Sequence, residues 1–159
     1  AYGYASWRIG YMLVPEHLNM AIKKAQDTYL ICPARIAQEG AIIALNIGKS
    51  YCEQYLKQMT EVRNLLYDAL QEINDFCHTA KTTGAFYFLL KLETKLTGME
   101  LAKTLIQKYK VAAIPGETFG MDKGCYLRIA YGALDKTHMD IGIIRLITGL
   151  NGTIKNSNN

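Results

Sequence analysis

The sequence predicts an α/β protein, and three observations carry that prediction. An apolar run, Trp7 to Val14, has strand character but no neighbouring segment to pair with. Helix-like stretches then follow one another from Leu18 to Ile73. From Phe76 onward, short apolar strands alternate with two capped helix starts in the order β-β-α-β-β-α, a small α/β layer complete in itself.

Each element has its own signature. The run Trp7 to Val14 is almost continuously apolar and stops at Pro15, as expected of a strand buried on both faces within a parallel sheet. Leu18, Ile22, Ala25 and Tyr29 recur at helical spacing. Pro33 suits the first turn of a second helix carrying Ile36, Ala37, Ala41, Ala44 and Leu45. In a third, Tyr55, Met59, Val62, Leu66, Ala69 and Ile73 form one apolar seam, with Glu61, Arg63, Asp68 and Glu72 off it. The seam is too short for a sustained heptad repeat, so it reads as packed on its own domain.

Phe76 to Ala80 and Ala85 to Leu92 are strand candidates around the Thr82-Thr83-Gly84 turn. Thr97-Gly98-Met99-Glu100 is a capping box before a helix with Leu101, Leu105, Ile106 and Tyr109. A strand at Val111 to Ile114, a glycine-rich loop from Pro115 to Gly124 and a strand at Cys125 to Tyr131 come next. Thr137-His138-Met139-Asp140 reads as a second capping box, opening a helix that reaches about Leu150. The Asn-rich tail is expected to fray. The domains expected are 1–47, 48–150 and a disordered 151–159.

At 159 residues, with 50% apolar and 20% charged, the chain has the composition of an ordinary globular domain. No apolar run approaches the roughly 20 residues that cross a bilayer. The N-terminus also lacks the order of charged, apolar and small residues that marks a signal peptide. The formal net charge is +4, but Lys and Arg are scattered, so neither a nucleic acid nor a membrane is expected as partner. Cys32, Cys52, Cys77 and Cys125 form no C-x-x-C pair, and His17, His78 and His138 are as far apart. That pattern offers no metal site and no disulfide framework. It is read as reduced core cysteines in a cytoplasmic protein.

Two arginines stand in apolar surroundings. A guanidinium keeps its charge and is rarely buried without an anion for its fork of donors. Arg8 suits an ion pair with an acidic side chain or, given Gly3, Ser6 and Gly10 beside it, a phosphate. Arg128 shares one strand face with Tyr126 and Ala130, opposite Leu127, Ile129 and Tyr131. It is either solvated there or, with the loop Pro115-Gly116-Glu117-Thr118-Phe119-Gly120 lying over a ligand, placed for a carboxylate.

The stretch from Ala1 to Tyr11 resembles the sequence following the cofactor-binding lysine of fold type I, class I and II aminotransferases, which depend on pyridoxal phosphate. Gly84-Ala85-Phe86-Tyr87 is similar to the family's Gly-(Gly/Ala)-Phe-Tyr turn. Pro115-Gly116, Phe119-Gly120, Gly124 and Tyr126-Leu127-Arg128 are similar to its Pro-Gly-x-x-Phe-Gly...Gly...Arg pattern. Each motif is weak alone; together, in order, they run from Ala1 to about Leu150.

The resemblance implies the C-terminal small domain of such an enzyme, with one leftover strand of the large-domain sheet and a long linking helix. It implies that Arg8 holds the cofactor phosphate and Arg128 the substrate α-carboxylate, and that the Schiff-base lysine comes immediately before Ala1. No catalytic residue is then expected within the chain, which by itself should be inactive and should not hold pyridoxal phosphate stably. The substrates implied are an amino acid and a 2-oxo acid, and the full-length enzyme implied is a cytoplasmic homodimer. Ser6 stands where relatives often have Gly, and Cys32 to Gln38 departs from the family's Asn-Pro segment. A carbon–sulfur lyase, a cyclopropane-carboxylate synthase, or a stand-alone dimerisation or binding domain remain as alternatives.

Overall fold

The computed structural model describes residues 2–132 and 136–157, which divide into two compact units, Ala1–Leu56 and Lys57–Asn159. The division falls inside a helix, whereas the sequence suggested one at residue 47.

The first unit opens with a 3-10 turn, Tyr4–Trp7, closed by Arg8 in the left-handed conformation at φ 53°. Residues 9–15 take no regular structure, so the strand expected at Trp7 to Val14 does not form. A strand exists only through ladder hydrogen bonds to a neighbour, and no described segment of this unit is a strand. Helix α1 (Asn19–Tyr29) follows a 3-10 turn at Glu16–Leu18 and buries none of its residues, so its apolar stripe is exposed. Helix α2 (Arg35–Ile47) starts after Ala34, and the Gln38 amide donates back to the Pro33 carbonyl at 2.8 Å. It buries Ala37 and Ala44, and the Trp7 indole lies on it at Gly40, where a Cβ would stand 3.0 Å from the ring. Helix α3 (Ser50–Gln71) begins in this unit and ends in the next.

The second unit holds the core. Of the expected seam, Val62, Leu66 and Ile73 are buried and Met59 packs against them, together with Leu70. Tyr55, at the head of the seam, is exposed. The sheet runs β1-β2-β4-β3, antiparallel throughout: β1 (Cys77–His78), β2 (Tyr87–Leu92), β3 (Ile114–Pro115) and β4 (Cys125–Ala130). The two edge strands are shorter than the apolar runs around them because each has a partner on one side only. Phe88, Leu90 and Leu92 of β2 and Cys125, Leu127 and Ile129 of β4 turn inward, and Tyr87, Leu89 and Arg128 take the other face.

Thr97 caps α4 (Gly98–Thr104): its hydroxyl accepts from Glu100 N, and the Glu100 carboxylate accepts from Thr97 N. The helix runs on as a π turn, Leu105–Tyr109. Helix α5 (Lys136–Ser157) extends well past Leu150. The capping box read at Thr137 depends on a side chain outside the described residues.

The fraying expected from Asn151 is corrected as far as residue 157: Ile154, one turn beyond Leu150, is buried in the core. Gly149 lets the helix approach closely, since a Cβ there would stand 2.6 Å from Leu105 Cδ2. Composition alone hid this single apolar anchor among asparagines.

Candidate functional site

Arg128 lies mid-strand in β4, paired in register with Leu89 of β2 and Ile114 of β3. Its guanidinium carbon stands 4.7 Å from the centre of the Tyr87 ring and 5.2 Å from that of Phe119. Two aromatic rings therefore stand within cation–π range of the guanidinium and help to hold it there. Nε is buried and has no hydrogen-bond partner among the described residues. Among those residues Arg128 also makes no ion pair. A buried N–H without an acceptor costs about 1–3 kcal/mol. The freely solvated arginine is thereby set aside in favour of one held in place and short of an acceptor.

Local structure delivers each ring. Ala85, at φ 62°, bends the chain ahead of β2. The corner is pinned where Tyr131 N donates to the Phe86 carbonyl at 2.8 Å and Tyr131 OH donates to Ala85 O at 3.1 Å. Tyr87 therefore enters β2 on the face that Arg128 shares. Phe119 ends a 3-10 turn, Gly116–Phe119, closed by Gly120 at φ 77°. That turn lies flat on β4 because Gly116 has no side chain: a Cβ there would stand 2.6 Å from Tyr126 Cβ.

The back of the site is acidic and thiol-bearing. Glu117 Oε1 accepts from Met99 N at 3.3 Å. Burial, and then the Glu117 and Glu100 carboxylates, push the Cys125 thiol up to about 11. Burial and Asp75 push Cys77 up to about 12. Those two cysteines are core residues, but Cys32 is exposed and Cys52 half-buried, so the reading of four core cysteines is corrected for that pair.

Arg8 belongs to the first unit and Arg128 to the second. Instead of lying in a strand, Arg8 is an exposed residue closing the Tyr4–Trp7 turn, with Nη1 donating to Ala5 O at 3.0 Å. Sequence reasoning assigned no role to Tyr87, Phe119 or Glu117. Tyr87 and Phe119 carried a usable signal, since both sit in the motifs around Arg128, but the β2–β4 register that brings Tyr87 beside it was not readable.

The sequence family described as aminotransferase class I and II matches residues 1–146. The chain belongs to this family. A probable aspartate aminotransferase of Methanocaldococcus jannaschii is 31% identical over 153 residues, covering 92% of this chain and 40% of that protein. The aromatic aminotransferase ISS1 of Arabidopsis thaliana is 29% identical, covering 94% of this chain and 38% of that protein. The crystal structure of an aromatic aminotransferase from Pyrococcus horikoshii superimposes with a TM-score of 0.74 at 27% identity, over 93% of this chain and 40% of that one. The chain thus spans about two fifths of the length of these aminotransferase relatives.

Proposed function

We propose that this chain supplies the substrate-carboxylate end of an aminotransferase site, in an enzyme that moves an amino group between an amino acid and a 2-oxo acid with pyridoxal phosphate. The observation that carries the reading is Arg128, clasped by Tyr87 and Phe119 with a buried Nε–H still lacking an acceptor. A substrate α-carboxylate matches the fork of donors and answers that lack. Anchoring one end of a small substrate fixes the direction of its Cα–H bond, an effect of position rather than of proton chemistry. The two rings also keep water from one side of the guanidinium, which strengthens the contact.

Arg8 fits the phosphate end of the cofactor by its donor chemistry: its side chain is exposed, and beyond the bond to Ala5 O it makes no other side-chain hydrogen bond among the described residues. Ser6, also exposed, adds a hydroxyl two residues away. When bound, pyridoxal phosphate supplies the electron sink for reaction at Cα. On the resemblance, the Schiff-base lysine stands eight positions before Arg8.

The whole enzyme is proposed to be a cytoplasmic homodimer with no nucleic acid or membrane partner. In support, Leu13, Tyr29 and Ile31 of the first unit are largely exposed, as on a surface that other protein covers. The cysteines are free, and no helix is long and apolar enough to cross a membrane among the described residues. The test is an assay of the full-length protein with pyridoxal phosphate, 2-oxoglutarate and a panel of aspartate, alanine and aromatic amino acids. Formation of glutamate with at least one donor is expected. In a parallel assay with cystathionine, release of a thiol, pyruvate and ammonia without any amino transfer from the panel would favour the lyase reading instead.

A further inference from the structure

The turn that carries Phe119 is a single 3-10 turn, Gly116–Phe119, a form with poor hydrogen-bond geometry and little stability of its own. From inside it, the Glu117 side chain reaches across to the first turn of α4 and accepts from Met99 N at 3.3 Å. Its second oxygen, Oε2, is buried without a hydrogen-bond partner among the described residues. That oxygen lies against Gly98, where a Cβ would stand only 2.5 Å from it. The Thr97–Glu100 box satisfies Thr97 N and Glu100 N but leaves Met99 N open, and Glu117 fills that place. The same bond fixes the turn to a rigid element, and two residues further on the Phe119 ring meets the Arg128 guanidinium at 5.2 Å.

We propose that Glu117 is a positioning residue for Arg128: by bracing the Gly116–Phe119 turn on α4, it holds the Phe119 ring against the guanidinium and keeps the fork aimed for a carboxylate. This rests on the reading of Arg128 given above. The brace works through reach and an acceptor oxygen, so charge is not its essential property. Gln keeps an acceptor at the same distance, Asp keeps the charge but falls one methylene short, and Ala keeps neither.

Two measurements test this. In residues 1–159, the NMR signal of the Arg128 Nε–H is expected to be displaced by the ring currents of Tyr87 and Phe119, whose centres stand 4.7 and 5.2 Å from the guanidinium carbon. Glu117→Ala and Glu117→Asp are expected to move it toward its position in Phe119→Ala, and Glu117→Gln to leave it near wild type. In the full-length enzyme, Glu117→Ala and Glu117→Asp are expected to raise KM for the amino acid about tenfold with kcat little changed, as for a weakened binding contact felt equally in the ground and transition states. Glu117→Gln should restore KM, and where Glu117→Ala fails to fold, the Asp and Gln pair carries the comparison. Should Glu117→Asp leave both the signal and KM unchanged while Arg128→Lys raises KM, the brace is refuted and the reading of Arg128 survives. A lowered melting temperature with signal and KM unmoved would likewise reduce Glu117 to a structural residue and overturn the proposal. Unchanged KM in Arg128→Lys itself would overturn the reading of Arg128, and the role of Glu117 with it.

Discussion

The Arg128 guanidinium and its two rings show how much a site depends on groups that carry no charge. Each ring face contributes roughly 0.5–2 kcal/mol to holding a cation, so losing one loosens the fork without removing it. Phe119→Leu in the full-length enzyme is expected to raise KM for the amino acid by about three- to tenfold, read from initial rates. Tyr131→Phe should lower stability by about 1 kcal/mol in urea unfolding, because the hydroxyl that pins Ala85 O is lost. The alternation of β4 placed Arg128 on the face opposite Leu127 and Ile129, as the structure has it, but by itself left open whether the side chain is solvated or placed for a carboxylate. It could not announce Tyr87, whose nearness depends on pairing between strands more than 30 residues apart, with Tyr87 opposite Ala130. The small neighbours of Arg8 suggested an ion pair or a phosphate, and its motif implied the cofactor phosphate; its left-handed turn was not foreseen.

At the scale of elements, capping chemistry was the most legible feature, since both halves of the α4 box lie within four residues and need no tertiary context. Thr97→Ala is expected to cost about 1 kcal/mol. The Thr97 backbone and side-chain hydrogen bonds hold the Glu100 carboxyl below its usual 4.5. A lowered folded-state value means that its contribution is present above about that pH and is lost on acidification through the folded value. The stability difference between wild type and Glu100→Gln should therefore close as pH falls below 4.5, which thermal melts across pH would show.

Gly98→Ala is expected to destabilise by about 1–3 kcal/mol, because its Cβ would stand 2.7 Å from the Tyr126 backbone oxygen, which cannot swing aside. Elements defined by distant partners were the ones misread. Trp7 to Val14 had strand composition but pairs with no described strand, and the end of α5 was hidden because one buried Ile154 outweighs several polar neighbours.

At the scale of the molecule, the two units differ in what they bury: Ala37 and Ala44 in the first, a continuous core in the second. Thiol chemistry should report that difference. The thiolate is the nucleophile, and burial keeps Cys77 and Cys125 protonated to about 12 and about 11. With iodoacetamide at pH 8, mass spectrometry is expected to find Cys32 and Cys52 labelled well before Cys77 and Cys125. Both buried thiols have folded-state values raised above the ordinary 9.0, so their contribution is complete below pH 9.0 and is lost as pH rises toward the folded values. Melting temperature should accordingly fall on the alkaline side.

The central claim is that Arg128 receives a substrate carboxylate, and binding separates that role from a structural one. The measurement is equilibrium affinity of the full-length enzyme for an amino acid and for the matching amine without its α-carboxylate, in wild type and in Arg128→Lys. Lysine keeps the charge but loses the planar fork, a change of about 1.5–3 kcal/mol for a hydrogen bond to a charged group. Affinity for the amino acid should fall roughly ten- to a hundredfold in the variant, while the weak affinity for the amine stays where it was. An amino acid bound equally well by both proteins would contradict the account.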